Sequence, residues 1–252
     1  MPEPVLRIER LSKQFGGLTA VSDISLDLHG GGVHALIGPN GAGKSTLINL
    51  LSGDLKPSGG SVRYQGREIA GLAPDRIARL GIARSYQKTN IFAAFPVFEN
   101  CRLAAQARLG GATRFFRPAY TYRDINAAAE RALVLAGLEA RADAVALTLS
   151  HGEQRQLEIA MTLAMSPSVL LLDEPLAGMD SAESQRMMAL IARLALEHAI
   201  ILVEHDMDAV FSVAAVLTVM VNGRVLASGA PATIRRNKAV QEAYLGTAEG
   251  AA

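Results

Sequence analysis

The residues with the densest chemistry are Gly38-Pro39-Asn40-Gly41-Ala42-Gly43-Lys44-Ser45-Thr46. They match G-x-x-x-x-G-K-[ST], the pattern of a phosphate-binding loop. Gly38, Gly41 and Gly43 have no Cβ, so the backbone can curl and bring successive N–H groups against phosphate oxygens. Lys44 offers a cation to the β- and γ-phosphates. Ser45 offers a hydroxyl to Mg²⁺, and Thr46 supports the α-phosphate side. An apolar run, Val33 to Ile37, precedes the loop, and Leu47-Ile48-Asn49-Leu50-Leu51 follows it in helical register. The order is strand, loop, helix, and the helix would point its positive dipole end at the bound anion.

Two further strand ends carry reactive side chains. Val169-Leu170-Leu171-Leu172 is followed by Asp173-Glu174. An unbroken apolar run reads as a strand buried on both faces of a parallel sheet. The carboxyl-terminal edge of such a sheet is where ligands sit in open α/β folds. There Asp173 would hold Mg²⁺ through water, and Glu174 would face the γ-phosphate and polarise the attacking water. Ala199 to Val203 is a second buried strand, ending in Glu204-His205-Asp206, which puts His205 at the same edge. Ser150-His151-Gly152-Glu153 opens an apolar helical pattern. Its Ser-x-x-Glu spacing reads as a capping box, and Ser150 and Gly152 at a helix start also suit an anion; both readings are compatible. Phe15, in a turn before a strand at Ala20–Leu28, is either a stacking platform for adenine or an apolar plug under the turn.

The elements that must position these groups alternate between strand and helix. Val5 to Glu9 and Ala20 to Leu28 alternate apolar and polar residues, as paired antiparallel strands do. Val62–Gly66 and Arg67–Ile69 form a short antiparallel return. Pro74 to Leu80 is a short helix, Ile82 to Tyr86 a strand, and Gln87 stands at its end. From Lys88 to Thr148 the chain turns Ala-rich and helical, at Val97–Leu109 and Tyr122–Gly137. The loop between them carries Arg114, Phe115, Phe116 and Arg117, either a contact surface or a solvated tip. Ser181 to Glu197 is a helix with Ser181 at its cap, and Asn222-Gly223 turns a hairpin. The chain has 252 residues, 50% hydrophobic and 19% charged, enough for a sizeable core. A net charge of +1 argues against a nucleic-acid-coating surface. A single cysteine, Cys101, fits a reducing compartment. No signal-peptide pattern opens the sequence, and the greasiest run, Ala209 to Val221, is short of the ~20 residues needed to span a bilayer.

Taken in order, Phe15, the Gly38–Thr46 loop, Gln87, Leu149-Ser150-His151-Gly152-Glu153, Asp173-Glu174, Ala177-Gly178-Met179-Asp180 and His205 resemble the ATP-binding subunits of ATP-binding-cassette (ABC) transporters over nearly the whole chain. Gly81-Ile82-Ala83-Arg84-Ser85-Tyr86-Gln87, Leu157-Glu158-Ile159-Ala160, Glu204-His205-Asp206-Met207 and Glu242-Ala243-Tyr244-Leu245-Gly246 look like the branched-chain amino-acid importer group. Urea and other small-solute importers are close alternatives. A soluble non-transport ATPase of the same fold is the alternative from another class, though those typically carry a long coiled-coil insertion or two cassettes in one chain. Ser-His-Gly-Glu departs from the general Ser-Gly-Gly-Gln signature, with no role assigned to His151.

The resemblance implies an α/β P-loop NTPase (RecA-like) core with a mainly parallel sheet, an N-terminal antiparallel β subdomain and an inserted α-helical subdomain. It implies one ATP-binding domain, residues 1–252, with the core near 1–87 and 166–252 and the helical part near 88–165. ATP and Mg²⁺ are the implied ligands. Glu174, His205, Lys44 and Gln87 would be catalytic. Phe15, the loop residues Gly38 to Thr46, and Ser150 and Gly152 would bind nucleotide. Ser45, Gln87 and Asp173 would bear on the metal. The implied partners are transmembrane permease subunits, a second ATPase subunit (the same chain or a sister) and, indirectly, a solute-binding protein, with no nucleic acid. Residues Lys88 to Asn100, including Phe92, Phe95 and Phe98, would meet the permease. The implied location is peripheral, on the cytoplasmic face of the cell membrane.

Overall fold

The computed structural model describes residues 3–86, 90–109, 118 and 121–245. Strands β1 (Leu6–Phe15), β2 (Leu18–Leu28), β4 (Gly59–Tyr64) and β5 (Arg67–Glu68) make an antiparallel sheet in the order β2-β1-β4-β5. Strands β3 (Gly32–Ile37), β6 (Ile82–Arg84), β7 (Val169–Asp173), β8 (Ala199–Val203), β9 (Ala214–Val221) and β10 (Arg224–Gly229) make a second sheet in the order β10-β9-β3-β8-β7-β6. All neighbours in it are parallel except the β9–β10 hairpin. This is the mainly parallel α/β core with an N-terminal antiparallel sheet that the sequence implies.

The apolar strand runs are explained by two-sided burial. Leu170, Leu172, Ile200 and Leu202 pack toward helices α3 (Val97–Leu109), α4 (Arg123–Ala136), α5 (His151–Ala164) and α6 (Ser181–Leu194). Their neighbours Val169, Leu171, Ile201 and Val203 pack instead with α1 (Lys44–Ser52), α2 (Pro74–Leu80) and the antiparallel sheet. Side chains alternate across a strand, so a five-residue strand serves two cores at once. Each fully buried Leu or Ile contributes roughly 1.5–3 kcal/mol. Ala35, Ile37, Leu217 and Val219 form a third cluster with α7 (Met207–Val213), α8 (Pro231–Arg235) and α9 (Lys238–Leu245). No helix among the described residues is long and apolar enough to cross a membrane.

Three local expectations change. β1 does not stop at Glu9; it runs on to Phe15, so Phe15 closes a strand instead of sitting in the turn. Arg10 has φ +48 and the register slips between Ile8 and Leu11, a bulge that breaks the apolar alternation and hides the continuation. The cap of α6 is Asp180, not Ser181: its carboxylate accepts from Glu183 N–H at 2.8 Å while Glu183 reaches back, a full capping box. β6 ends at Arg84, two residues short of Tyr86.

Candidate nucleotide site

The Gly38–Thr46 loop joins β3 to α1, and its curl depends on missing side chains. Gly38 has φ +152, and a Cβ there would lie 2.1 Å from Met220 O. Gly43 has φ +97, and a Cβ there would lie 2.5 Å from Ala20 O. The loop is thus pressed against the β9–β10 hairpin and β2. Gly43 brings no side chain to cap α1, and the first turn of that helix holds no acid. Its leading N–H groups are therefore open to an anion from outside the helix. Asn40, Gly41 and Ser45 are exposed, Pro39 and Thr46 half-buried, and Ala42 buried.

Lys44 is buried beneath the loop. Its ammonium donates to Gly38 O at 2.7 Å and to Pro39 O at 3.1 Å. Burial pushes its pKa down, and the charges of Glu174 and Asp173 pull it back up. Those three residues therefore share one electrostatic neighbourhood at the carboxyl-terminal edge of the sheet. Asp173 is only 4% exposed. Burial raises its carboxyl pKa, and Arg84, donating to it at 3.1 Å, lowers it. Arg84 also donates to Asp54 at 2.9 Å and Ser52 at 3.1 Å, tying β6, the end of α1 and β7 into one polar cluster.

Glu174 takes φ +52, a turn out of β7 that few residues other than glycine adopt. Its N–H donates to Val203 O at 2.9 Å, and its Oε1 lies 2.6 Å from His205 Nε2. His205 is held in turn by Glu204. That buried carboxylate accepts from His205 N–H at 3.1 Å and Leu176 N–H at 2.7 Å. Burial raises the Glu204 pKa, against these two donors. Arg84 carries no sequence signal, because Asp173, Asp54 and Ser52 reach it from β7 and the end of α1. Glu204 follows a conspicuous apolar strand, yet its support of Leu176 N–H, 28 positions away, has no sequence signature.

Phe15 is 46% exposed at the end of β1, with the Lys13 ammonium 5.0 Å from its ring centroid. The ring is thus half-exposed and not plugged into the core, with one face carrying the Lys13 ammonium. Ser150 caps α5, accepting from Glu153 N–H at 3.2 Å. Its other partner, and that of Gly152 N–H, is Glu183 on α6. The described hydrogen bonds of Ser150 and Gly152 therefore run to α5 and α6, not to the Gly38–Thr46 loop. Gln87, Lys88 and the Arg114–Arg117 tip lie outside the described residues.

A sequence profile described as ABC transporter matches residues 21–177. A second, described as branched-chain amino acid ATP-binding cassette transporter, matches residues 224–250. The chain therefore belongs to the ABC transporter family and is an ATP-binding cassette ATPase. Within that family it is 40% identical to the high-affinity branched-chain amino acid transport ATP-binding protein BraF of Pseudomonas aeruginosa, over 98% of this chain and 100% of that one. It is 38% identical to the corresponding protein LivG of Escherichia coli K12, over 98% and 100%. Among solved structures, it is similar to a nucleotide-free ATP-binding cassette of an ABC transporter, with TM-score 0.84, 27% identity, and 95% and 98% covered. A second cassette, in its ADP conformation, gives TM-score 0.84 at 27% identity, covering 97% and 100%.

Proposed function

We propose that this chain is the ATP-hydrolysing subunit of an importer for branched-chain or related amino acids. The observation that carries the reading is the Glu174–His205 pair at 2.6 Å, set at the sheet edge beside Asp173 and the buried Lys44. The substrate class is supported by the relatives over their full length. The whole chain acts as one ATP-binding domain, with residues near 88–165 as its helical part.

In this reading the loop N–H groups and the α1 amino terminus grip the phosphates, and Lys44 swings from the Gly38 and Pro39 carbonyls to the β- and γ-phosphates. Glu174 takes a proton from water as its oxygen attacks the γ-phosphorus and ADP leaves; such a base is typically worth 10²–10⁴-fold. His205 orients Glu174 and contacts the γ-phosphate. Phe15 stacks on the adenine. Ser45 and Asp173, with Gln87, are an oxygen donor set suited to Mg²⁺, which favours few carboxylates plus phosphates and water. Bound there, the ion would neutralise charge developing on the phosphates. Ser150 and Gly152 close the site from a second subunit, so ATP cements a head-to-tail dimer and hydrolysis releases it. Phe92 and Phe95, exposed and stacked at 5.8 Å, belong to the face offered to the permease. In this reading the chain lies peripherally on the cytoplasmic face of the membrane.

Glu174→Gln should retain ATP binding, lose turnover by roughly 10²-fold or more, and accumulate an ATP-bound dimer in sedimentation. Near-normal hydrolysis by that variant would refute the assignment. Amino-acid uptake by vesicles carrying the partner permease tests the solute.

A further inference from the structure

The seat that the proposed function gives to the partner's γ-phosphate already holds a carboxylate. Glu183 Oε1 accepts from Gly152 N–H at 3.2 Å and from the Ser150 hydroxyl at 3.4 Å. The approach is close: a Cβ on Gly152 would lie 2.6 Å from Glu183 Oε1. The other oxygen, Oε2, accepts from Asp180 N–H at 3.4 Å as part of the α6 capping box. One carboxylate thus lies at the amino termini of two fourteen-residue helices, α5 and α6, where both dipoles favour negative charge. A cavity of about 460 Å³, lined by Ser150, Gly152, Gln156, Glu183 and Arg186, opens beside it.

We propose that Glu183 is a built-in stand-in for the γ-phosphate: it fills the Ser150–Gly152 seat in the resting chain and must be displaced for an ATP dimer to form. The inference rests on the reading that Ser150 and Gly152 receive phosphate. A carboxylate and a phosphate cannot share two donors, so arrival of one expels the other. The adjoining cavity gives the displaced side chain room, and Arg186, one turn along α6, offers it a new partner there. Because Glu183 also closes the Asp180 cap, its departure loosens the Leu176–Asp180 segment that follows Glu174. The His151 imidazole lies against the same segment: a Cβ on Gly178 would lie 3.2 Å from His151 Cε1. Glu183 is therefore a positioning residue. It sets the ATP concentration at which the dimer closes, since a seat occupied by its own anion lowers the apparent affinity for an outside one.

The test uses the full chain in the Glu174→Gln background, titrating ATP and reading the dimer fraction by analytical ultracentrifugation. Adding Glu183→Gln removes the charge yet keeps an amide oxygen for the capping box. The ATP midpoint for dimerisation should fall about fivefold, ~1 kcal/mol at 1.4 kcal/mol per tenfold. Binding of a fluorescent ATP analogue to the monomer should not change, which a general effect on folding would alter. Glu183→Ala should shift the midpoint in the same direction. An ATP dimer in the parent whose midpoint is unmoved or raised by both folded variants overturns this inference alone. No ATP dimer in the Glu174→Gln parent overturns the two-subunit reading and this inference with it.

Discussion

His34 sits inside β3, a polar interruption within the Val33–Ile37 run that delivers the phosphate loop. Its Nε2 lies 2.7 Å from Thr218 Oγ1, and that hydroxyl lies 2.7 Å from Ser228 Oγ, so a polar chain, buried at His34 and Thr218 and reaching the surface at Ser228, crosses β3, β9 and β10. Burial pushes the imidazole pKa down to about 4. A depressed pKa means the folded state resists the proton that the unfolded chain accepts. The neutral imidazole therefore contributes stability that is present above pH ~6.5 and lost as pH falls toward 4. At 1.36 kcal/mol per unit, that gap is worth ~3 kcal/mol. Urea titrations from pH 7 to 4 should show a loss of about this size in the wild type beyond that of His34→Gln; parallel stability curves for the two proteins would sink the account. No sequence pattern marks this network, because its members stand 184 and 10 positions apart. The same physics separates what was readable at the site from what was not. Lys44, Asp173, Glu174 and His205 were visible because each ends or follows a conspicuous apolar strand. Arg84 and Glu183 are not, because each acts through a partner 31 to 89 positions away, and of Glu204 only the place is legible, its bond to Leu176 N–H spanning 28 positions.

At the scale of elements, α5 does more than present Ser150. Its buried Arg155 donates to Tyr86 O at 3.0 Å and pairs with Glu158 at 2.8 Å, and Glu158 accepts from Asn90 N–H at 2.6 Å. The helix that opens with the signature thus grips both flanks of Gln87. Both side chains are under 10% exposed, and burial raises the Glu158 pKa against the pull of Arg155. Removing one partner leaves a buried charge uncompensated. Arg155→Met should lower stability by about 3–5 kcal/mol in chemical denaturation, and Arg155→Met with Glu158→Leu should recover much of it. Equal losses in the single and double variants would show that the pair is not coupled. Helix limits of this kind were readable: α3 spans Val97–Leu109 as its pattern indicates, and α4 differs by a residue at each end. The end of β1 is not legible, because the Arg10 bulge breaks the two-residue period before the strand runs on to Phe15. The α6 cap is ambiguous by one residue in sequence, because Ser181 and Asp180 are both good caps, and only geometry shows which oxygen meets Glu183 N–H.

At the scale of the whole molecule, no hydrogen bond among the described residues joins Ser150 or Gly152 to the other half of the proposed site. Lys44, Asp173, Glu174 and His205 gather at one sheet edge, whereas Ser150 and Gly152 bond to α6. A second copy supplying the missing wall predicts complementation. Lys44→Ala disables a chain's own phosphate grip and leaves its signature intact. Gly152→Asp adds a carboxylate to the seat a chain offers its partner and leaves its own grip intact. Each variant alone should be inactive, since every site it forms contains the lesion. Mixed in equal amounts, random pairing makes half the dimers hybrid, and each hybrid carries one site with both walls whole. ATP hydrolysis by the mixture should therefore rise to about one quarter of the wild-type rate, given symmetric dimers and independent sites. Specific activity of the wild type should also climb with protein concentration until dimers saturate. A mixture no more active than the mean of its two components would show that one chain builds the complete site by itself.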